Sequence, residues 1–368
     1  MSRNSALKST RNSAPSSEQG SPAREETRPV WADLDKRERM SVVCRYFCQG
    51  YRLAKIAARI SEEYSTDFSR ESTYPMLMEA VRNGWIQYVP PLEQFLGDKI
   101  EKRYSWLREA RVVHTSQFED VAYYGAEMLI TLLKNMRSSI KTTVHIGFAG
   151  GHAMRTLARA LARLLRESEA ELPEELVLHA LVAGFDVFDP TTDPNSFFTL
   201  FQKHTPMGPE FKFVGLHAPT VVEADQYDSL RNLEGIKESF DQVDKLDIIV
   251  TSAAIWADEH STFRKRMLKS PGCFDTLDKA GCIGDMLWLP LGPEGPLTVA
   301  TRVRTMTLVE LTELTTRIKA GKHVVLVLGP CAMCRKTKAQ ILRAILTSKD
   351  RLISHLVIDS LSAREILR

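Results

Sequence analysis

From Asp35 onward, apolar residues recur at helical spacing. Asp35 to Cys48 reads as a helix closed by Gly50, a residue type suited to a left-handed cap. Leu53, Ile56, Ala57 and Ile60 mark a second helix over Arg52–Tyr64, and Met76, Leu77, Ala80 and Val81 a third. Asn83-Gly84 predicts a turn and Trp85–Val89 a short strand before Pro90-Pro91. Together these predict a small helix-turn-helix domain over residues 31–90. Residues 91–115 then read as a linker helix.

The pattern changes beyond residue 116. Short apolar runs rich in Val and Ile predict strands at Thr143–Gly147, Val177–Val182, Asp247–Thr251, Met286–Leu289, His323–Leu328 and Ser354–Ile358. Helical stretches such as Met154–Arg166 lie between several of them. This alternation predicts an α/β domain over 116–368, with a mostly parallel sheet covered on both faces. In such sheets ligands bind at the carboxyl ends of the strands, where the turns into the helices lie.

Composition narrows the function classes. The chain has 368 residues, 43% hydrophobic and 26% charged, enough apolar material for a sizeable core. A net charge of +3 excludes a uniformly basic nucleic-acid coat but permits a local basic module. Residues 1–30 are rich in Ser, Arg, Pro and Glu and read as a disordered arm, without the apolar core of a secretory signal. No run approaches the ~20 apolar residues of a membrane span. Six cysteines are too sparse for a disulfide scaffold, so a cytoplasmic location is expected.

Three stretches carry candidate ligand chemistry. In Gly147-Phe-Ala-Gly150-Gly151-His152 a strand runs through a glycine-rich turn into a helix, an arrangement that offers amides and a helix dipole to an anion. It is not a P-loop. In Gly281-Cys-Ile-Gly284-Asp285 the acid is a candidate acceptor for sugar hydroxyls. In Gly329-Pro-Cys331-Ala-Met-Cys334-Arg-Lys336-Thr-Lys338, either lysine could neutralise a phosphate. The Cys-x-x-Cys has no second such pair and no nearby His pair, so no metal site and no cofactor are expected.

A fourth stretch, Ser69-Arg70-Glu71-Ser72-Thr73-Tyr74-Pro75, reads as a recognition segment. Ser69, Arg70, Ser72, Thr73 and Tyr74, with Arg52 and Lys55 on the preceding helix, are the DNA-binding candidates. Pro75 conflicts with a helix starting at Ser69; a start near Thr73 would place it in the first turn.

The order of these features resembles the SorC/DeoR-type sugar-binding transcriptional regulators over about residues 36–366. Gly147–Met154 is similar to the family's Gly-Ile-Ser-Trp-Gly-Arg-Thr-Leu turn, and Gly281–Asp285 to its Gly-Ala-Val-Gly-Asp/Glu. Phe213–Pro219 matches a strand ending in Ala-Pro, and Leu356–Ala363 the closing Leu-Ile-Thr-Asp-Glu-x-x-Ala. His152 and Ala153 stand where relatives carry phosphate-binding groups, and Thr251-Ser252-Ala253 replaces a Gly-Ile-Gly. The resemblance implies an effector domain related to phosphosugar isomerases and coenzyme A transferases. It also implies a phosphorylated-sugar effector, operator DNA and homo-oligomers, with no catalysis and no membrane. The effector set is Gly147, Gly150, Gly151, His152, Gly281, Gly284, Asp285, Lys336 and Lys338. The alternatives are an isomerase-like sugar-phosphate enzyme and a ligand sensor whose helical domain binds a protein.

Overall fold

A computed structural model of the chain describes residues 30–168, 171–184, 189–201 and 208–368. The predicted arm, apart from Val30, lies outside the described residues. The chain divides into two units, Met1–Tyr88 and Val89–Arg368.

In the first unit, α1 (Lys36–Cys48) opens on a capping box. The Glu38 amide donates to the Asp35 carboxylate at 2.8 Å, and the Asp35 amide donates back to Glu38 at 2.7 Å. Gly50, at φ 86°, donates to Phe47 O and ends the helix as expected. Helix α2 (Leu53–Tyr64) turns through Ser65 into α3 (Arg70–Arg82). Ile56, Ile60, Val43, Leu77 and Ala80 form the core, with Trp31 edge-on to Tyr64 and Phe68.

Two expectations are corrected here. Helix α3 starts at Arg70 with Ser69 as its cap, so Pro75 sits in the second turn, not the first. The helix runs on despite the missing Pro75 N–H, because Thr73, Leu77 and Ala80 keep its inner face buried. Trp85–Val89 forms no strand: Trp85, Tyr88 and Val89 are exposed.

The second unit starts with α4 (Gln94–Arg103) and β1 (Glu109–Val113). The stretch predicted as one linker helix over 91–115 is therefore a shorter helix and an edge strand. Glu101 ties the two by accepting from the Ala110 amide at 2.7 Å. Then follow α5 (Phe118–Ser138), β2 (Thr143–Phe148), α6 (His152–Glu167), β3 (Glu175–Ala180) and β4 (Glu210–Val214). The remaining strands are β5 (Val221–Glu223), β6 (Ile248–Thr251), β7 (Ala253–Ile255), β8 (Gly284–Met286), β9 (Leu289–Gly292), β10 (Gly295–Pro296), β11 (Val303–Thr305), β12 (His323–Leu328) and β13 (His355–Asp359).

Seven strands form an all-parallel sheet in the order β1-β13-β12-β6-β2-β3-β4. Val324–Leu328 of β12 are fully buried on both faces. Each such side chain contributes about 1.5–3 kcal/mol, which is why the run contains no polar residue. From β2 the chain passes through α6 to β3 on one side; from β6 it goes to β12 on the other. The sheet thus has its topological switch point between β2 and β6, the place where open α/β sheets bind ligands.

A small antiparallel sheet, β10-β9-β8-β7, has as its edge β7, which follows β6 after the single residue Ser252. The strand predicted at Met286–Leu289 is corrected: Met286 ends β8, Leu289 opens β9, and Leu287-Trp288 between them are the turn of the hairpin. Leu287 and Trp288 both take positive φ (56° and 59°), as a type I′ turn requires.

Candidate functional site

The first predicted turn follows β2. Gly151, at φ 103°, caps α6 and donates to Thr192 O at 2.8 Å. The next amides, from His152 on, lie at a helix N-terminus without intrahelical acceptors. His152 Nε2 stands 3.5 Å from the Asp189 carboxylate, and Arg155 donates to Thr191 Oγ1 at 2.7 Å. Hydrogen bonds from Thr191 hold the Asp189 carboxyl below its usual range. The mouth of this turn therefore combines helix dipole, imidazole and guanidinium with one opposing carboxylate, which the sequence reading missed. Gly147 is corrected. A Cβ there would stand 2.4 Å from Leu181 Cδ2, so its role is close packing of β2 and not ligand contact.

The second turn is also built differently from expectation. Gly281, at φ 79°, donates to Asp278 O and terminates the helix Cys273–Lys279. Gly284 lies in β8, where a Cβ would meet Ala254 O at 2.1 Å and Ile341 Cδ1 at 2.3 Å. Both glycines serve the backbone path: Gly281 ends the helix, and Gly284 lets β8 lie close against Ala254.

Asp285 is the residue these glycines position. It is buried at 5% exposure, opposite Ala254 in the β7–β8 ladder. Burial pushes its carboxyl up to about 7, although Lys338 and the Trp288 amide pull the other way. Its Oδ1 has no hydrogen-bond partner, and neither does the buried Oγ of Ser252, just before β7. An unpaired buried oxygen costs about 1–3 kcal/mol, so two near one strand end call for an outside partner.

Between the two candidate lysines the structure distinguishes clearly. Lys336 is exposed, whereas Lys338 turns inward and donates to Ala253 O at 2.9 Å. Burial pushes its ammonium below the ordinary lysine value.

The Cys-x-x-Cys lies in the loop after β12. Its four residues form a tight turn in which the Arg335 amide donates to Cys331 O at 2.9 Å and the Cys331 amide to Lys336 O at 3.0 Å. The expectation that this pair lacks further ligand groups is corrected. Asp258 and His260, from the loop after β7, come against both sulfurs. Parallel pairing of β6 with β12 brings these distant loops together, which spacing along the chain could not show.

In the first unit, the start of α3 presents Arg70, Ser72 and Tyr74 to solvent. Ser69 Oγ accepts from the Ser72 amide at 3.2 Å and so acts as the cap. Arg52 and Lys55 are exposed at the start of α2. Thr73 is corrected: it is fully buried, its hydroxyl donating to Ser69 O at 3.2 Å, and cannot reach a base.

A separate cavity lined by Phe263, Met267, Leu289, Leu297 and Arg304 contains none of the expected site residues. Its one cation is already engaged, since Arg304 pairs with Glu310 at 2.7 Å.

A parallel α/β unit with polar groups at its switch point, following a small helical unit, is the architecture shared with solved sugar-operon regulators of the SorC/DeoR type. The comparisons agree. Residues 209–368 match the family model of a sugar-binding domain. The fold is similar to that of the full-length sorbitol operon regulator SorC from Klebsiella pneumoniae, at 15% identity and a TM-score of 0.61, covering 91% of this chain and 100% of that one. A probable sor operon regulator from Shigella flexneri aligns at 15% identity and a TM-score of 0.57, over 75% of this chain and 99% of that one. A DeoR-family regulator from Listeria monocytogenes aligns at 20% identity and a TM-score of 0.53, over 74% and 98%. No curated protein matches by sequence. The fold expected from the resemblance thus holds: the chain has the SorC-type fold.

Proposed function

We propose that this protein is a one-component transcriptional regulator whose α/β unit binds a sugar, most favourably a phosphorylated one. The observation that carries the reading is the pair of unpartnered oxygens, Asp285 Oδ1 and Ser252 Oγ, in a chain whose residues 209–368 match a sugar-binding domain. Sugar hydroxyls would satisfy both. The helix start at His152, with Arg155 beside it, suits the phosphate. Lys338 supplies a second cation beside Asp285.

DNA would be met by Arg70, Ser72 and Tyr74, with Arg52 and Lys55 on the phosphate backbone. The segment between Lys36 and Asn83 has a net charge of +3, modest for a DNA reader. Regulation then requires that the sugar bind one arrangement of the protein better than the other; by reciprocity, operator DNA changes sugar affinity by the same factor. We place the protein among non-catalytic, oligomeric cytoplasmic regulators. Asp285 has a lysine, not a histidine, as its charged neighbour, which disfavours the isomerase alternative.

The test is operator binding followed by fluorescence anisotropy, with genomic fragments around the chain's own coding region and a panel of sugars and sugar phosphates. Saturable binding shifted at least several-fold by one sugar supports the reading. Binding to no fragment, or operator affinity indifferent to every sugar that raises the melting temperature, overturns it.

A further inference from the structure

Two loops meet beyond the carboxyl ends of the adjacent strands β6 and β12, the first of them reached from β6 by way of β7. One follows β7 and carries Asp258 and His260; the other follows β12 and carries Cys331 and Cys334. One oxygen, one nitrogen and two sulfurs from these side chains all lie within 4.8 Å of one another. From this geometry we propose a structural zinc site with Asp258, His260, Cys331 and Cys334 as its four ligands.

The distances fit. Around a tetrahedral zinc with bonds of about 2.0–2.3 Å, ligand atoms stand about 3.3–3.8 Å apart, so the cluster closes with shifts of under about 1 Å. The ligand types also fit. Two thiolates, one imidazole and one carboxylate suit zinc better than magnesium or calcium, which prefer oxygen ligands. The Cys-x-x-Cys spacing is that of zinc-binding turns, and Asp258-x-His260 brings its two donors to one side of a short loop.

The ligands are arranged before any metal binds. The Asp258 carboxylate accepts the His260 amide at 2.9 Å and lies 2.9 Å from His260 Nδ1. Cys331 is buried at 8% exposure, and its thiol bonds to Asp258. Cys334 is half-buried, so an entry path exists. With four protein ligands the site is closed, which marks it as structural and not catalytic.

Charge balance gives an independent argument. Two thiolates and one carboxylate around Zn²⁺ leave a net charge of −1. Lys338, whose charge interacts with Cys331, Asp258 and Cys334, supplies the compensating +1. Binding releases the two thiol protons and forms two zinc–sulfur bonds, with no change of oxidation state. The metal would tie the loop after β7 to the loop after β12 and so hold Lys338 beside Asp285. The site stands on its own ligands, whether or not a sugar binds nearby.

The experiment uses the full chain, made without a histidine tag, reduced, stripped of metal and reloaded with zinc or cobalt. Elemental analysis is expected to give about one zinc per chain. Cobalt should give the intense ligand-field bands of tetrahedral coordination together with sulfur-to-cobalt charge transfer. The double variant C331S/C334S should lose both signals, H260A should weaken zinc affinity at least tenfold, and the control C44S/C48S should keep both. If the double variant does not fold, the cobalt spectrum of the unaltered chain decides. A reduced chain that takes up neither metal overturns the proposal. So do a cobalt spectrum without charge transfer, zinc retained in folded C331S/C334S, and a Cys331–Cys334 disulfide as the state in which the reduced chain settles under zinc.

Discussion

Lowering the pH from 7 to 5 should strip several kcal/mol from the α/β unit, because its buried histidines resist protonation. Burial pushes His179 down to about 4, His323 to about 4 and His355 to about 3. His179 Nε2 lies 2.9 Å from His145 Nδ1, and the rings of His323 and His355 are 5.0 Å apart, so each pair opposes a second charge. In the unfolded chain an imidazole takes its proton near pH 6.5. Acid therefore binds the unfolded state first. This stability is present in full above about pH 7 and is lost as the pH falls through 6.5 towards 4. At pH 5 the linkage costs about 2 kcal/mol per ring, or about 6 for three rings acting independently. Asp285 works the other way. Its carboxyl is pushed up to about 7, so acidification relieves about 2 kcal/mol of its burial penalty. A net loss of about 4 kcal/mol remains, a large part of a domain's typical 5–15 kcal/mol. Urea unfolding of metal-free chain at pH 7, 6 and 5, with a chelator present, measures it directly. His179→Gln should cut the net loss by about half, and Asp285→Asn should steepen it. Equal stability at pH 7 and 5 would refute the argument, as would a slope unchanged in His179→Gln.

Other expectations follow from single contacts. Arg70→Ala should weaken specific operator binding by about 1–3 kcal/mol in anisotropy titrations if Arg70 bonds a base edge, while Thr73→Ser should leave it nearly unchanged. Gly284→Ala would press a methyl against Ala254 O and should cost about 1–3 kcal/mol of stability in the α/β unit, read by thermal unfolding. His152→Ala should weaken sugar-phosphate binding at fixed pH; an unchanged calorimetric Kd would take the exposed His152 out of the site.

Legibility followed local physics. β12 was readable because a strand buried on both faces needs an unbroken apolar run, here Val324–Leu328. α1 was readable because Asp35, Glu38 and Gly50 carry their capping chemistry in their own side chains or in the lack of one. Edge strand β1 was not, since Glu109-Ala-Arg-Val-Val has the composition of a helix and gains its strand geometry from pairing with β13. The β8–β9 turn was hidden because Leu287 and Trp288 are not residues that favour positive φ; tertiary packing imposes it. For the candidate site, the sequence pointed to Asp285, His152 and the inward lysine. It could not separate packing glycines from ligand-facing ones, because that depends on which neighbour lies 2–3 Å away. Asp258 and His260 escaped notice because strand order, not sequence distance, makes them neighbours of Cys331.

The amino ends of the parallel strands tell a different story from the carboxyl ends. There the Asp247 carboxylate accepts from Lys141 Nζ at 2.5 Å, Lys322 Nζ at 3.1 Å and the His145 amide at 3.0 Å, while its carbonyl accepts from the His323 amide at 2.8 Å. One side chain thereby rivets the entry points of β2, β6 and β12 into a single anvil. The roots of these three strands are thereby held together at one end of the sheet, opposite the end where the turns into the helices lie.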